Sequence, residues 1–367
     1  MYVIGGVRGL GSNEIVWLDA STPKRLLLSA SLAEILRARG FRPLVTVRSY
    51  DYSLMMLPKL GVHDYIVVGV HGGGTLKGKL VADIGRMIDL IPVLEDKNVV
   101  ALISYPSPPA VRVAYGLGIP YIAMGDTPHG EAMNRLSYPL ARVAILSEFI
   151  AEDLAKYFLK DFTVIETYRG VDELLWVKRF ECNKHEEDVT EAGLKPLSYV
   201  VLRPEEFMAH YYDRRGESIV IKLSEVVLSE GYTPVVLPRY ESQLIEVKSM
   251  KGVKVIEKPI LGPALECHAV AVVTGGITMA REAALLGVPG ISVFSKPIRI
   301  DVKLAELGLP ISYARDYEEA SYILRKILRD PESHRVESRK LIESLETPES
   351  KVVAWVEALA SEAKRSR

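Results

Sequence analysis

Amide side chains and cysteine are scarce in this sequence: four asparagines, one glutamine and two cysteines in 367 residues. Cys182 and Cys267 are too few for a disulfide framework, and no His/Cys grouping has metal-ligand spacing. That argues against zinc catalysis and makes a reducing cytoplasm the expected setting. Excess charge is missing as well. Lys plus Arg number 46 against 47 for Asp plus Glu, a formal net charge of −1, which gives no electrostatic reason to expect nucleic-acid or acidic-membrane binding. No apolar run reaches the length of a membrane helix, and the glycine-rich start lacks a charged n-region, so an integral membrane protein is not expected. No Gly-Lys-Ser/Thr phosphate loop appears, which argues against P-loop ATP hydrolysis. Few amides beside 25% charged residues is a pattern of heat-adapted proteins. What remains is a chain of 48% hydrophobic residues, too long for one core, suited to a small-molecule or lipid-linked substrate.

After residue 13, short β-branched runs alternate with longer amphipathic ones, the signature of parallel sheets covered by helices. Strands are expected near residues 14–19, 43–48, 64–69, 99–104, 119–125, 143–147 and 163–166. After a polar, charged stretch at 182–195, the best linker candidate, further strands follow near 198–203, 233–237, 253–256, 270–274 and 290–294. The clearest helix is 24–39, with Leu28, Leu32, Ile35 and Leu36 on one face and Gly40 as its stop. The expected architecture is α/β and GT-B-like: two Rossmann-type domains, 1–168 and 169–346, facing across a cleft. A tail helix, 347–367, opens at Thr347-Pro348-Glu349 and packs back on the first domain. The Gly5-to-Gly11 stretch resembles a dinucleotide loop but precedes the first strand, so it is set aside as a leader.

The stretch richest in information is 269–289, which reads as strand, glycine turn and helix with one carboxylate inside. Thr274 ends the strand, Gly275 and Gly276 let a ligand approach the backbone, and the helix from Thr278 opens with N–H groups suited to phosphate. Glu282 stands roughly 6 to 9 Å along that helix, a distance that suits a ribose diol when the diphosphate sits at the N-terminus, its carboxylate facing a solvent-filled cleft. Arg203 and Arg239 each close a strand and have the fork that matches phosphate oxygens. His210-Tyr211-Tyr212 stands in the loop after Arg203 as either a stacking platform or a structural patch.

In the first half, Asp19 and Lys24 flank a strand end and project into the cleft, and Ser21 or Thr22 can cap the helix that starts at Pro23. His71 leads a three-glycine loop with a pKa range suited to proton transfer. Asp126, His129 and Glu131 put an acid, a base and another acid in one loop. Candidate acid–base residues are therefore His71, Asp126, His129, Glu131 and Asp19, in no fixed order.

Gly276, Glu282, Gly287 and Pro289 resemble the donor-binding segment of GT-B glycosyltransferases, in particular the enzyme that adds N-acetylglucosamine to the lipid-linked peptidoglycan precursor. The resemblance implies ribose at Glu282 and, from Lys258-Pro259-Ile260, a loop with Ile260 whose backbone meets the base. Residues 131–136 with 143–148 resemble a region of the non-hydrolysing UDP-N-acetylglucosamine 2-epimerases. Yet Ser104-Tyr105-Pro106-Ser107 stands where that pattern has His-Gly-Asp-Thr, and Arg203-Pro204-Glu205 where it has His-Arg-Arg-Glu. Across most of its length, with residues 46–51 and His71-Gly72-Gly73 included, the chain resembles a largely uncharacterised family common in archaea and placed beside those two groups. The implied reaction is sugar transfer from a nucleoside-diphosphate sugar to an acceptor, with the nucleotide sugar as substrate, no resident cofactor, and a divalent cation left open. An epimerase or hydrolase on the same scaffold, and a nucleotide-sugar binder without turnover, are the alternatives.

Overall fold

The computed structural model describes residues 14–49, 53–207, 217–256, 260–294 and 296–365. The glycine-rich leader, Tyr50, Asp51, His210 to Tyr212, Lys258 and Pro259 lie outside the described residues. The chain forms two compact units, one from Met1–Trp176 with Glu346–Arg367 and one from Val177–Leu345.

The first unit carries a parallel sheet of β1 (Ile15–Ala20), β2 (Arg42–Ser49), β3 (Tyr65–Val70), β4 (Val99–Ser104), β5 (Tyr121–Ala123), β6 (Val143–Ser147) and β7 (Val164–Tyr168). Their order is β3-β2-β1-β4-β5-β6-β7, which reverses direction between β1 and β4. Helices cover both faces of such a sheet, so the central strands read as unbroken apolar runs; all of β1 and β6 is buried. Trp17, fully buried in β1, donates its indole N–H to Thr46 Oγ1 on β2 at 2.8 Å. Helices used below are α1 (Pro23–Ala38), α2 (Leu76–Leu94), α3 (Pro108–Gly116) and α4 (Glu131–Ser137). On α1 the expected face is buried, including Leu28, Leu32, Ile35 and Leu36. Its start differs from expectation, because Thr22 makes no side-chain capping bond and Ser21 Oγ accepts from Arg25 at 2.6 Å. Pro23, with φ preset for a helix, is what opens α1.

The second unit carries β8 (Tyr199–Arg203), β9 (Thr233–Val236), β10 (Lys254–Val255), β11 (Ala271–Thr274), β12 (Gly290–Ser292) and β13 (Ile311–Tyr313) in the order β10-β9-β8-β11-β12-β13. Alternation splits each strand between two cores: Val200 and Leu202 join Val236 and Val273 on one face, Tyr199 and Val201 join Val235 and Val272 on the other. Its helices include α5 (Ile219–Ser229), α6 (Gly262–Cys267) and α7 (Thr278–Leu285). Strand β13 was not expected, since three residues are too few to show a period. The polar stretch 182–195 is not a linker. It forms a 3-10 turn, Cys182–His185, and a short helix, Glu186–Glu191, and it anchors Val189 and Leu194 in the second core, its charges lying on the solvent side. The tail helix α8 (Glu349–Arg365) packs on β4 and α1 and buries Val352, Val353, Val356 and Leu359. Among the described residues no helix is long and apolar enough to cross a membrane.

Candidate functional site

In a sheet whose strand order reverses, the crevice at the reversal lies outside the carboxyl ends of the two strands that diverge there. In the second unit those strands are β8 and β11, and their last residues, Arg203 and Thr274, are paired in register. The glycine turn follows at once. A Cβ on Gly275 would come within 2.4 to 2.6 Å of Glu205 side-chain and backbone atoms, so this position is glycine because the loop after β8 passes over it. Gly276 differs, because a Cβ there would meet only the Arg239 guanidinium at 3.5 Å and Thr274 Oγ1 at 3.6 Å. Thr274 Oγ1 accepts the Gly276 N–H at 3.0 Å, and Ser292 Oγ donates to the Gly276 carbonyl at 2.8 Å, which fixes the turn from two strand ends. Beyond it α7 begins at Thr278 behind Ile277, whose side chain caps nothing, and residues 276–279 are only partly buried. After α7, Gly287 takes φ 82°, and a Cβ there would strike the Val336 carbonyl at 2.2 Å.

The two arginines form a reciprocal clasp. Arg203 Nη1 donates to the carbonyls of Leu237 (2.9 Å) and Pro238 (3.1 Å), and Arg239 Nε donates to that of Pro204 (2.8 Å). Each thus ties the loop after the other's strand, and Arg239 is the one lying over Gly276. Glu205, 1% exposed, caps α5 by accepting from Ser218 Oγ and Ile219 N.

Glu282 does not face solvent. It is 3% exposed on the inner side of α7, set against Glu266 of α6, which is wholly buried. Burial first, then the charge and hydrogen bonding of Glu282, push the Glu266 carboxyl well above the ordinary carboxylate range. Burial in this setting favours the neutral, protonated form of Glu266. Sequence reasoning missed Glu266 because it sits in an apolar helix with no glycine turn to mark it. Ile260, at the edge of the base-binding loop expected from the resemblance, turns its side chain onto the second core.

In the first unit the reversal lies between β1 and β4. Asp19 turns inward instead of projecting from β1: it accepts from Arg86 Nη2 (2.6 Å) and Nη1 (3.1 Å), Ser107 Oγ (2.7 Å) and Thr46 Oγ1 (2.7 Å). Burial raises its pKa, but the Arg86 charge and these bonds outweigh burial and hold it lowered. Lys24 Nζ donates to Asp126 Oδ2 at 2.5 Å and to Glu173 Oε1 at 2.8 Å, 5.3 Å from the Tyr105 ring centroid. Beside Glu173, Asp172 accepts from the hydroxyls of Tyr105 and Tyr168. Burial raises Asp172 to about 6, with Lys24 opposing and Glu173 and Asp126 adding to the rise. One ammonium therefore serves three carboxyls, of which sequence reasoning found only Asp126; Asp172 and Glu173 follow β7 and obey the same strand-end rule.

The remaining residues do not converge. Glu131 opens α4 and pairs on the surface with Arg135 at 2.5 Å, where both line an open cavity of about 370 Å³, while Asp126 is turned inward to Lys24. His129 is half-buried between them in sequence. The loop thus splits its acids between two environments. His71 Nδ1 accepts the Gly73 N–H at 3.1 Å, and partial burial, then Arg48 and Lys79, lower its pKa, which keeps the imidazole neutral at pH 7. Among the described residues no three His, Cys, Asp or Glu side chains are grouped to hold a metal ion.

The model of a family described as "Protein of unknown function (DUF354)" matches residues 15–359. An uncharacterised protein of Methanocaldococcus jannaschii is 27% identical over 294 residues, 77% of this chain and 82% of that one. Among solved structures, a putative UDP-N-acetylglucosamine 2-epimerase of Listeria monocytogenes superposes with a TM-score of 0.70 at 13% identity, covering 96% of this chain and 98% of its own. The UDP-GlcNAc 2-epimerase of Neisseria meningitidis bound to UDP-GlcNAc gives 0.60 at 14% identity, with 94% and 99% covered. Spinosyn forosaminyltransferase gives 0.59 at 14%, with 96% and 100% covered. At these identities the likeness is one of fold: two parallel-sheet units of the GT-B class.

Proposed function

We infer that this chain, which belongs to the DUF354 family, is an enzyme that takes a sugar from a nucleoside-diphosphate sugar, the second unit holding the donor. The observation that carries this reading is the Gly276 turn, which leads into a helix without a side-chain cap and lies under the Arg239 guanidinium at the strand reversal. A diphosphate at this turn would meet the opening amides of α7 and the Arg239 fork together. Charge grows on the leaving diphosphate as the glycosidic bond breaks, and preorganised donors at that point are the largest available catalytic term. Glu282, turned inward against the buried Glu266, is not assigned to the ribose diol. In the first unit, Asp126, paired with Lys24, is assigned to the acceptor's proton. The acceptor is of the small-molecule or lipid-linked kind.

Titration calorimetry with UDP and a panel of nucleotide sugars tests the donor half. Arg239→Ala should lower affinity at least tenfold, and an unchanged affinity would remove Arg239 from the site. A second reading, epimerisation, is favoured by one observation: Asp172, at about 6, stands with Glu173 and Lys24 as a proton-handling cluster of the type C2 deprotonation needs. Proton NMR of UDP-N-acetylglucosamine incubated with the enzyme separates the two, because transfer predicts no manno-isomer.

A further inference from the structure

Helix α2 has a second apolar face, and it points to solvent. The side chains it buries are Arg86, Leu90, Val93 and Leu94, and Arg86 is spent on Asp19 and the Val68 carbonyl. On the other side, Leu76, Leu80, Val81, Ile84, Ile88 and Ile91 fall within an arc of about 140° at 3.6 residues per turn. They are 79, 60, 59, 45, 63 and 41% exposed respectively. Single exposed aliphatics are ordinary, but a stripe as wide as a core-facing one along most of a 19-residue helix is not. Beside it, α3 exposes Tyr115 by 64%.

Exposed charges flank the stripe at both ends, Lys97 among them. Lys77 is exposed in the first turn, and exposed Asp89 lies near the other end, followed by exposed Glu95 and Asp96. An antiparallel copy centred on Ile84 would bring Leu80 opposite Ile88 and Val81 opposite Met87, with Lys77 opposite Ile91 at each end of the contact. We propose that this face is the interface of a two-fold symmetric homodimer in which α2 packs antiparallel on α2 of a second copy. The six side chains amount to the apolar area of three to four fully exposed aliphatics, on the order of 350 Å². That is close to the apolar half of the ~800 Å² each partner buries in a standard interface, with Tyr115 and the charged ends left to form its rim. The 76/80/84/88 spacing supplies the i±4n ridge that helices interdigitate most often.

Sedimentation velocity of the full chain at tens of micromolar tests this. The expected mass is twice 40.7 kDa. Ile84→Asp with Ile88→Asp should return it to one chain with an unchanged far-UV circular dichroism spectrum, since both side chains already face water. Ile84→Ala alone should weaken dimerisation at least tenfold, a comparison that does not depend on how the aspartate pair folds. A wild type that sediments as a single chain, a dimer indifferent to these substitutions, or a single chain that floats with phosphatidylglycerol vesicles would each overturn the proposal, the last in favour of a lipid surface.

Discussion

Glu266→Gln should stabilise the second unit, by an amount that grows as pH rises. The Glu266 carboxyl is wholly buried on α6 beside Glu282, and burial followed by that neighbour raises its pKa well above 4.5. The folded state then keeps a proton that the unfolded chain gives up. Wild-type stability is therefore fully present below the unfolded pKa and is lost as pH rises toward the folded one, at about 1.4 kcal/mol per pH unit for a single proton. Glutamine does not titrate and keeps the shape. Between pH 5 and 7 the variant should gain on the wild type, by no more than about 1.4 kcal/mol per pH unit, seen as a Tm difference that widens with pH. Scanning calorimetry at pH 5, 6 and 7, read on the second unit's transition, measures the difference. Glu282→Gln is the control: it removes the like charge but leaves Glu266 buried, so part of the pH slope should remain. Tm differences between Glu266→Gln and wild type that stay flat from pH 5 to 7 would show that Glu266 is ionised in the fold and that burial does not hold its proton.

Outcomes are expected for four further substitutions. Gly275→Ala should destabilise the second unit by 1–3 kcal/mol or more in urea denaturation, because its Cβ meets the Glu205 backbone at about 2.5 Å. Gly276→Ala should leave stability nearly unchanged and weaken UDP binding by calorimetry, and the reverse pattern would relocate the ligand. Arg86→Leu should cost about 3–5 kcal/mol at pH 7 by leaving Asp19 buried without its partner. Asp19 with its lowered pKa gives the wild type stability that is present above 3.8 and lost as pH falls through the folded value, whereas the variant should instead gain stability on acidification. Asp172→Asn should erase any limb of the pH–rate profile near pH 6, the range to which Asp172 is raised; a limb that persists assigns it to another group.

Strand positions were legible because buried parallel strands are written as continuous β-branched runs. The runs at 99–104 and 143–147 coincide with β4 and β6 to the residue. Where the signal is short it can vanish, as in the three-residue β13. The charged stretch 182–195 misled for a related reason, since one buried Val189 is enough to dock a short helix that is otherwise polar.

The strand-end rule picked out Asp19, Lys24, Asp126, Arg203, Arg239 and the glycine turn, yet it could not say which of them were spent on the protein itself. That depends on partners far away in sequence. Arg86 stands 67 residues from Asp19 and takes its carboxylate out of solvent, and Glu173, 149 residues from Lys24, shares the ammonium with Asp126. A carboxylate at a strand end is as often a tether for the next helix as a base, and only the count of its hydrogen bonds separates the two. By that measure Asp19, with four, is a tether. Asp126 accepts from Lys24 and Thr127 and remains 8% exposed, so it keeps an edge that a substrate could reach. The same test separates the glycines: Gly275 is occupied by Glu205, whereas Gly276 faces only a guanidinium and a hydroxyl, so the ligand proposed for this turn belongs on the side of Gly276.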